Sequence, residues 1–277
     1  RPVPSWVPNS GDESPQSKFV KLLTPKHWPS YARANRLRIL MYHSISGATQ
    51  DRLAVAPERF AAEMSLLAEQ KFQVVSLAEG CRRLASGEDL AHTVVLTFDD
   101  GHRDFLTTAA PTLRQHRFTA TLFVVTGRLG DTTRWSSTDK TGALLTRDDL
   151  RELKGEGFHL GSHTVTHADL RTLDEASLDR ELADSFAAVA QMGETFIPFA
   201  YPGGTFTQRE RDAVERAGYD CGVIVGGRWG NGPETDRFLL KREPMLASDS
   251  LDWFKKRVNG FYEAHYLMAR ARGIETR

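Results

Sequence analysis

The chain has 277 residues, 40% of them hydrophobic, and its 36 basic and 36 acidic side chains balance to zero formal net charge. This balance gives no electrostatic reason to expect nucleic acid or an anionic membrane as a partner. No run of apolar residues is long enough for a transmembrane helix. The chain begins with Arg1 and shows no signal peptide, so the removal of a leader or anchor stays an open question.

Half of the 12 prolines fall within residues 1–36, which predicts an extended arm or linker ahead of a catalytic domain at 37–277. The domain alternates strand-like and helix-like segments. Apolar strands are predicted at 37–43, 72–75, 93–98, 119–125, 158–161, 196–200 and 221–225. Helices are predicted from Pro57 onwards and at 103–116, 146–156, 174–192, 209–217 and 251–258, with Thr146 and Asp149 as a capping pair.

Repeated strand–helix units with apolar strands indicate an α/β fold in which helices cover a parallel sheet. The pattern alone fits an open doubly wound sheet as well as a closed barrel. In both architectures, active residues collect at the carboxyl ends of the strands. The strand ends are therefore the places to look for chemistry.

Two adjacent carboxylates follow the strand at 93–98, in the sequence Thr97-Phe-Asp-Asp-Gly101. Neighbouring side chains at a strand end point in different directions, so one carboxylate can bind a metal while the other faces water at that metal. Gly101 permits a sharp turn. A helix cap followed by a turn would use the same residue types, so this motif alone leaves both readings open.

A pair of histidines, His163 and His167, follows the strand at 158–161. On a helical turn, a spacing of four places both imidazoles on one face, where they can share one cation. Two more strand ends carry polar chemistry. His43 ends the first strand of the domain, and a Pro-Gly-Gly turn after 199–201 exposes N–H groups that could bind an oxyanion. Surface histidines and a tight loop are the simpler alternatives.

Taken together, these strand ends resemble the polysaccharide deacetylase family, which is carbohydrate esterase family 4 with the nodulation-type chitooligosaccharide deacetylase domain. The Thr-Phe-Asp-Asp-Gly and Ser-His-Thr-Val-Thr-His blocks are similar to that family's two most specific motifs, in order and in separation. The resemblance runs from about Arg38 to about Met245. It implies a distorted (β/α) barrel with about seven units.

The closer resemblance is to a branch that includes exopolysaccharide and poly-N-acetylglucosamine de-N-acetylases. Members of that branch begin with a Met-Tyr-His-like strand, as residues 41–43 do here, and carry Phe-Ala-Tyr-Pro, as residues 199–202 do. Other branches place the general-acid histidine near the C-terminus. The first strand here is similar to that last strand in permuted order.

The resemblance implies a role for each motif residue. Asp99 is the general base, and Asp100, His163 and His167 are ligands of one divalent metal ion. Zinc is the default, and the same ligand set also suits cobalt, nickel or iron. His43 takes the role of general acid that protonates the departing amine.

Other implied residues are less directly matched. Gly203 falls where the family has its backbone oxyanion donor, and Ala200 replaces an arginine that braces the catalytic aspartate in other branches. We predict that Arg242, after the strand-like segment 238–240, supplies that support instead. Trp135 and Tyr201 are candidates for stacking on sugar rings, with plain loop packing as the alternative for each.

These roles predict metal-dependent hydrolysis of acetamide groups on an N-acetylated amino-sugar polymer or oligomer, with release of acetate. A deformylase, an O-deacetylase or another amide hydrolase on this fold would carry the same metal set. A non-catalytic carbohydrate-binding module usually loses a ligand or the base, and this chain has kept all four residues. The proline-rich arm and the polymer-directed branch favour the cell envelope, periplasmic or extracellular, over the cytoplasm.

Overall fold

The structure, a computed structural model, describes residues 35–48, 51–133, 135, 142–226 and 230–259. The proline-rich arm predicted at 1–36 lies outside these residues except for Asn35 and Arg36. None of the helices in the described part of the chain has the length and apolar composition that a membrane span requires.

Strands and helices alternate along the described chain, as the sequence predicts. The strands are β1 (Arg38–Tyr42), β2 (Ser44–Ile45), β3 (Ala54–Val55), β4 (Gln73–Val75), β5 (Thr93–Phe98), β6 (Thr121–Val124), β7 (His159–Ser162), β8 (Pro198–Ala200), β9 (Cys221–Val225) and β10 (Leu240–Pro244). The α-helices are α1 (Pro57–Glu69), α2 (Leu77–Ser86), α3 (Ala110–His116), α4 (Arg147–Gly155), α5 (Glu175–Ala190), α6 (Gln208–Arg216) and α7 (Leu251–Val258).

A closed parallel barrel forms the centre of the fold. Eight strands lie in the order β1-β10-β9-β8-β7-β6-β5-β4. β1 also pairs in parallel with β5, from Arg38 opposite Val94 to Tyr42 opposite Phe98, and this pairing closes the ring. β4 pairs only with the first half of β5, so the barrel itself has seven strands. The predicted distorted barrel of about seven units is confirmed, and the open sheet is excluded.

The barrel strands are buried on both faces because the fold has two apolar cores. In β5, Leu96 and Phe98 pack in the large core under the helices, whereas Val95 belongs to a second, smaller core. Side chains alternate along a strand, so Thr97 and Asp99 continue the face that carries Val95. The strand therefore delivers Asp99 towards the barrel axis at its carboxyl end.

Local sequence signals explain several helix boundaries. The predicted capping pair opens α4: the Thr146 hydroxyl accepts from the Asp149 N–H at 3.1 Å, and the Asp149 carboxylate accepts from the Thr146 N–H at 2.8 Å. The helix predicted at 103–116 differs from expectation, because it begins as a π-helical turn at Phe105–Ala109 before α3. Such wide turns are frequent near functional sites, and this one follows the Asp-Asp-Gly turn.

Candidate active site

Parallel strands bring the predicted site residues to one end of the barrel. Asp99 and Asp100 follow β5, His163 follows β7, and His43 follows β1. The Asp99 N–H donates to the Tyr42 carbonyl at 3.0 Å, which continues the β1–β5 ladder beyond the strand ends. The base and acid candidates therefore project from adjacent strands at the same level of the barrel.

The three predicted metal ligands meet at a single point. Asp100 Oδ1 lies 3.5 Å from His163 Nε2 and 3.4 Å from His167 Nε2. One ligand atom from each of the three residues lies within 4.8 Å of the others. One carboxylate oxygen and two imidazole nitrogens form a donor set that zinc and related divalent metals accept, with coordination positions left open.

The surroundings of these ligands fit a cation. Asp100 Oδ1 is buried and has no hydrogen-bond donor among the described residues, although buried carboxylate oxygens normally find one. Burial would raise the pKa of Asp100, yet the neighbouring histidines lower it well below its usual value, so the carboxylate is ionised. Burial lowers the pKa of His167 to about 4, so its ring is neutral, the form that binds a metal.

A backbone carbonyl fixes the orientation of the His163 ring at the nitrogen that does not face Asp100. Its Nδ1 lies 2.8 Å from the carbonyl oxygen of Ala200, the last residue of β8. Because that carbonyl can only accept, Nδ1 carries the proton and Nε2 presents its lone pair towards Asp100. A neighbouring strand thus selects the ring tautomer that metal binding requires.

The segment from His163 to His167 is a loop that follows β7, and the two rings meet without a helical turn. Glu181 of α5 holds this loop by accepting from the N–H groups of Val165 and Thr166 at 2.8 and 3.0 Å, and from the Thr166 hydroxyl at 2.7 Å. The two imidazoles still converge, with ring centroids 4.7 Å apart. The hydrogen bonds to the Glu181 carboxylate therefore hold the loop that carries the two rings.

Backbone strain is concentrated at this site. Five non-glycine residues in the described chain have positive φ, and three of them are Asp100 (71°), Thr164 (69°) and His167 (62°). The left-handed conformation costs each of them about 1 to 2 kcal/mol, and strained residues of this kind cluster at functional sites. Gly101 is also left-handed, as the predicted sharp turn requires.

Glu181→Ala is expected to weaken metal binding without removing a ligand. The substitution leaves the N–H groups of Val165 and Thr166 without their acceptor, at a cost of about 1 to 3 kcal/mol in the free energy of unfolding. Chemical denaturation and a zinc-binding titration measure the two effects. Asp184→Ala, at an exposed position on the same helix, is the control, and unchanged zinc affinity in Glu181→Ala would contradict the prediction.

The predicted base, Asp99, lies against the predicted brace, Arg242. The guanidinium donates from Nη1 to Asp99 Oδ1 at 2.6 Å and from Nη2 to Asp99 Oδ2 at 2.7 Å. Nη1 also donates to the Thr97 hydroxyl at 3.2 Å. Arg242 is 0% exposed and Asp99 3%, so this is a bidentate pair in a desolvated setting, the strong form of the interaction.

The charges around Asp99 keep it ionised. Burial alone would raise the pKa of Asp99, but the guanidinium of Arg242 and other neighbouring groups together lower it below its usual value. The contact expected of a bracing arginine is therefore present. The catalytic roles of Asp99 and Arg242 themselves stay predictions.

His43, the predicted acid, sits next to the base on the adjoining strand. Its Nδ1 is buried and has no hydrogen-bond partner among the described residues. Burial lowers the pKa of His43, and the charges of Asp99 and Asp100 oppose that shift. The ring therefore lies beside Asp99, and its role as acid stays a prediction.

Two further predicted residues lie at the mouth of the barrel. Gly203 has a φ of 63° in the 3-10 turn Pro202–Gly204, and nothing lies within 4 Å of the position where a Cβ would be. Trp135 stacks on His167, with ring centroids 4.7 Å apart and planes 12° from parallel. Both positions border the barrel end that carries the three predicted metal ligands, as their predicted substrate contacts would require.

Tyr201 does not support its predicted contact with a sugar. It is 1% exposed and packs edge-on against Phe199, with ring centroids 5.0 Å apart, and against Phe206 at 5.4 Å. Strand alternation explains the difference. Phe199 and Tyr201 share one face of the chain, and that face is turned into the large core under the helices.

Sequence reasoning missed one histidine of the site. His102 is 7% exposed, and its Nε2 lies 3.5 Å from Asp100 Oδ2. The available signal was its position two residues after Asp100, across a glycine turn that folds the chain back.

Comparison with known proteins agrees with this geometry. Residues 86–222 match the sequence model of the family described as polysaccharide deacetylase. YxkH of Bacillus subtilis, a protein named for polysaccharide deacetylation, is 28% identical over 227 residues, which cover 79% of this chain and 76% of YxkH. The poly-beta-1,6-N-acetyl-D-glucosamine N-deacetylase of Staphylococcus aureus is 21% identical over 271 residues, which cover 93% and 90%.

A solved structure shares both the fold and part of the sequence. The Streptococcus pyogenes deacetylase PplD, solved in complex with acetate, superposes with a TM-score of 0.71 at 27% identity. The superposition covers 80% of this chain and 98% of PplD. The likeness therefore extends over most of this chain and nearly all of PplD.

Proposed function

We propose that this chain, which belongs to the polysaccharide deacetylase family, hydrolyses the acetamide groups of an N-acetylated amino-sugar polymer or oligomer and releases acetate. The observation that carries the proposal is the Asp100–His163–His167 cluster beside an ionised Asp99 at one barrel end. Similarity to a poly-N-acetylglucosamine deacetylase supports an acetamide on an amino sugar as the substrate group.

Asp100, His163 and His167 would hold one divalent cation, for which zinc is our first candidate and cobalt, nickel or iron are the alternatives. A bound cation supplies Lewis acidity, which makes water more acidic and draws charge from an acyl oxygen. Two neutral imidazoles and one carboxylate leave a net positive charge at such a site. That charge favours the anionic character that develops on the acyl oxygen during attack.

Asp99 accepts the proton of the attacking water. A carboxylate has about four lone-pair positions, and Arg242 engages each oxygen once, so acceptor capacity remains on both oxygens. The same pairing holds the carboxylate in one orientation and keeps it ionised. Arg242 therefore acts on the reaction through the position and charge of Asp99.

The leaving nitrogen needs a proton, because an amide does not expel an amide anion. His43, on the strand next to Asp99, is placed to deliver that proton, and the N–H of Gly203 is our candidate donor to the oxyanion. Water is consumed, the carbon–nitrogen bond breaks, and the products are acetate and a free amino sugar.

We also propose a location in the cell envelope, periplasmic or extracellular. The proline-rich composition of residues 1–36 suits an extended segment, and the Staphylococcus aureus relative is named for a polymer substrate. An N-acetylated glycan is the expected partner. The balanced charge of the chain fits an uncharged polymer.

Purified protein is expected to release acetate from N-acetylglucosamine oligomers, to lose this activity with a chelator and to regain it with added zinc. An enzymatic acetate assay measures the reaction. If zinc is bound and no acetate appears, formylated or O-acetylated sugars become the substrates to test. If neither zinc binding nor acetate release is found, the proposal is contradicted in favour of a carbohydrate-binding module.

A further inference from the structure

His102 lies against the metal-binding carboxylate at the oxygen that the other histidines do not use. Its Nε2 is 3.5 Å from Asp100 Oδ2. Asp100 Oδ1, in contrast, faces His163 and His167, at 3.5 and 3.4 Å from their Nε2 atoms. The two oxygens of one carboxylate are thus divided between the predicted metal and a third ring.

The backbone on either side holds His102 in this place. The Leu145 N–H donates to the Gly101 carbonyl at 2.9 Å, and the Arg103 N–H donates to the Ala143 carbonyl at 2.8 Å. His102 lies between these two bonds and is 7% exposed. A buried ring with paired backbone on both sides has little freedom to leave the carboxylate.

The negative charges around His102 bear on whether its ring donates or accepts in the contact with Asp100. Besides Asp100, the carboxylates of Asp104 and Asp51 place negative charge near the ring. Asp104 Oδ2 accepts from the Ser44 hydroxyl at 2.5 Å, so it is held in place. A carboxylate that serves as a metal ligand can only accept, so the contact at Asp100 Oδ2 requires the proton on Nε2 of His102.

We propose that His102 is a positioning residue for the metal, which donates from Nε2 to Asp100 Oδ2 and so keeps Oδ1 directed at the cation. His102 is not itself one of the three residues whose ligand atoms converge. Outer partners of this kind fix a ligand's orientation, and their loss typically lowers metal affinity about 10- to 100-fold. The inference rests on the proposed function through the metal site alone.

The test compares zinc dissociation constants of full-length variants, measured by competition with a chelating dye. His102→Phe keeps a flat ring but removes the donor, and it is expected to weaken zinc binding about 10- to 100-fold. His102→Gln keeps a side-chain N–H at a similar reach, and it is expected to stay within about threefold of the wild type. The thermal midpoint of each variant in chelator checks the fold.

His92→Phe is the matched control, because His92 is exposed beside Phe72 at the opposite end of β5 from the site. Equal zinc affinity in His102→Phe and the wild type would overturn this inference and leave the metal site of the proposed function intact. A wild-type chain that binds no zinc would overturn it together with the metal site of the proposed function. If His102→Phe does not fold, His102→Leu provides the same comparison with the same expected loss.

Discussion

Asp99→Asn is expected to lower kcat by about 100- to 10,000-fold, the usual contribution of a general base. Asparagine has nearly the same shape as aspartate, but its amide cannot take up a proton from water. Because Asp99 is not one of the three converging ligands, zinc affinity should stay close to that of the wild type. Acetate release and a zinc titration on the same preparation separate the two quantities.

The same substitution should also lower stability, because it leaves the buried guanidinium of Arg242 without its counter-charge. Removing one partner of a buried pair typically costs about 3 to 5 kcal/mol, so activity has to be measured well below the variant's melting temperature. Asp89→Asn, at an exposed position, is the control for the same substitution made outside the site. Near-normal turnover in Asp99→Asn would refute the assignment of Asp99 as the base.

Arg242→Met is expected to change the pH dependence of the reaction as well as its rate. In the wild type, burial is the largest single effect on Asp99 and raises its pKa, but Arg242, through its charge and its hydrogen bonds, and other neighbouring groups together hold the pKa below its usual value. Without the guanidinium, burial dominates and raises the pKa of that carboxyl. A base works only when deprotonated, so kcat/KM of the variant should fall as pH is lowered and recover as pH is raised.

The stability of Arg242→Met should follow the opposite pH trend from the wild-type pair. A depressed folded-state pKa of Asp99 gives the wild type stability that is present above the unfolded pKa and lost as pH falls. A raised folded-state pKa in the variant gives stability that is present at low pH and lost as pH rises. Denaturant unfolding at several pH values measures both trends.

Two controls sharpen this prediction. The double variant Asp99→Asn with Arg242→Met removes both charges, so it should be more stable than Arg242→Met alone at neutral pH. Arg114→Met, which breaks an exposed pair with Glu156, should leave the rate profile unchanged. A variant whose profile matches that of the wild type would show that Arg242 does not control the base.

The candidate metal site could be predicted from sequence because its residues lie in short blocks at strand ends. Asp100, His163 and His167 each follow an apolar strand, and a parallel barrel brings such positions together whatever its detailed pairing. The predictions of the family and of the barrel rest on the same short blocks, and both are confirmed. Arg242 could be predicted because the family resemblance implies an arginine where this chain has Ala200, and Arg242 follows another strand-like segment.

What the sequence did not reveal depends on contacts between distant segments. Barrel closure rests on the pairing of β1 with β5, and the shape of the histidine loop rests on Glu181, a carboxylate from a later helix. Neither contact leaves a pattern in the neighbouring sequence from which it could be predicted. Tyr201 is different, because the alternation of Phe199, Ala200 and Tyr201 along the chain already places the Tyr201 ring on the same buried face as Phe199.

The closure of the barrel by its first strand has a consequence for how the protein acquires activity. β1 is synthesised first, yet it needs β10 as a neighbour, with Leu40 opposite Glu243. Asp99 and Arg242 are also 143 positions apart and meet across the same closing region. Contacts of such sequence separation form late, because the loop they close costs entropy first. We therefore expect the pairing that brings Arg242 to Asp99 to form late in folding, and a barrel in which β1 and β10 have not yet paired to hold the predicted metal ligands without the braced base.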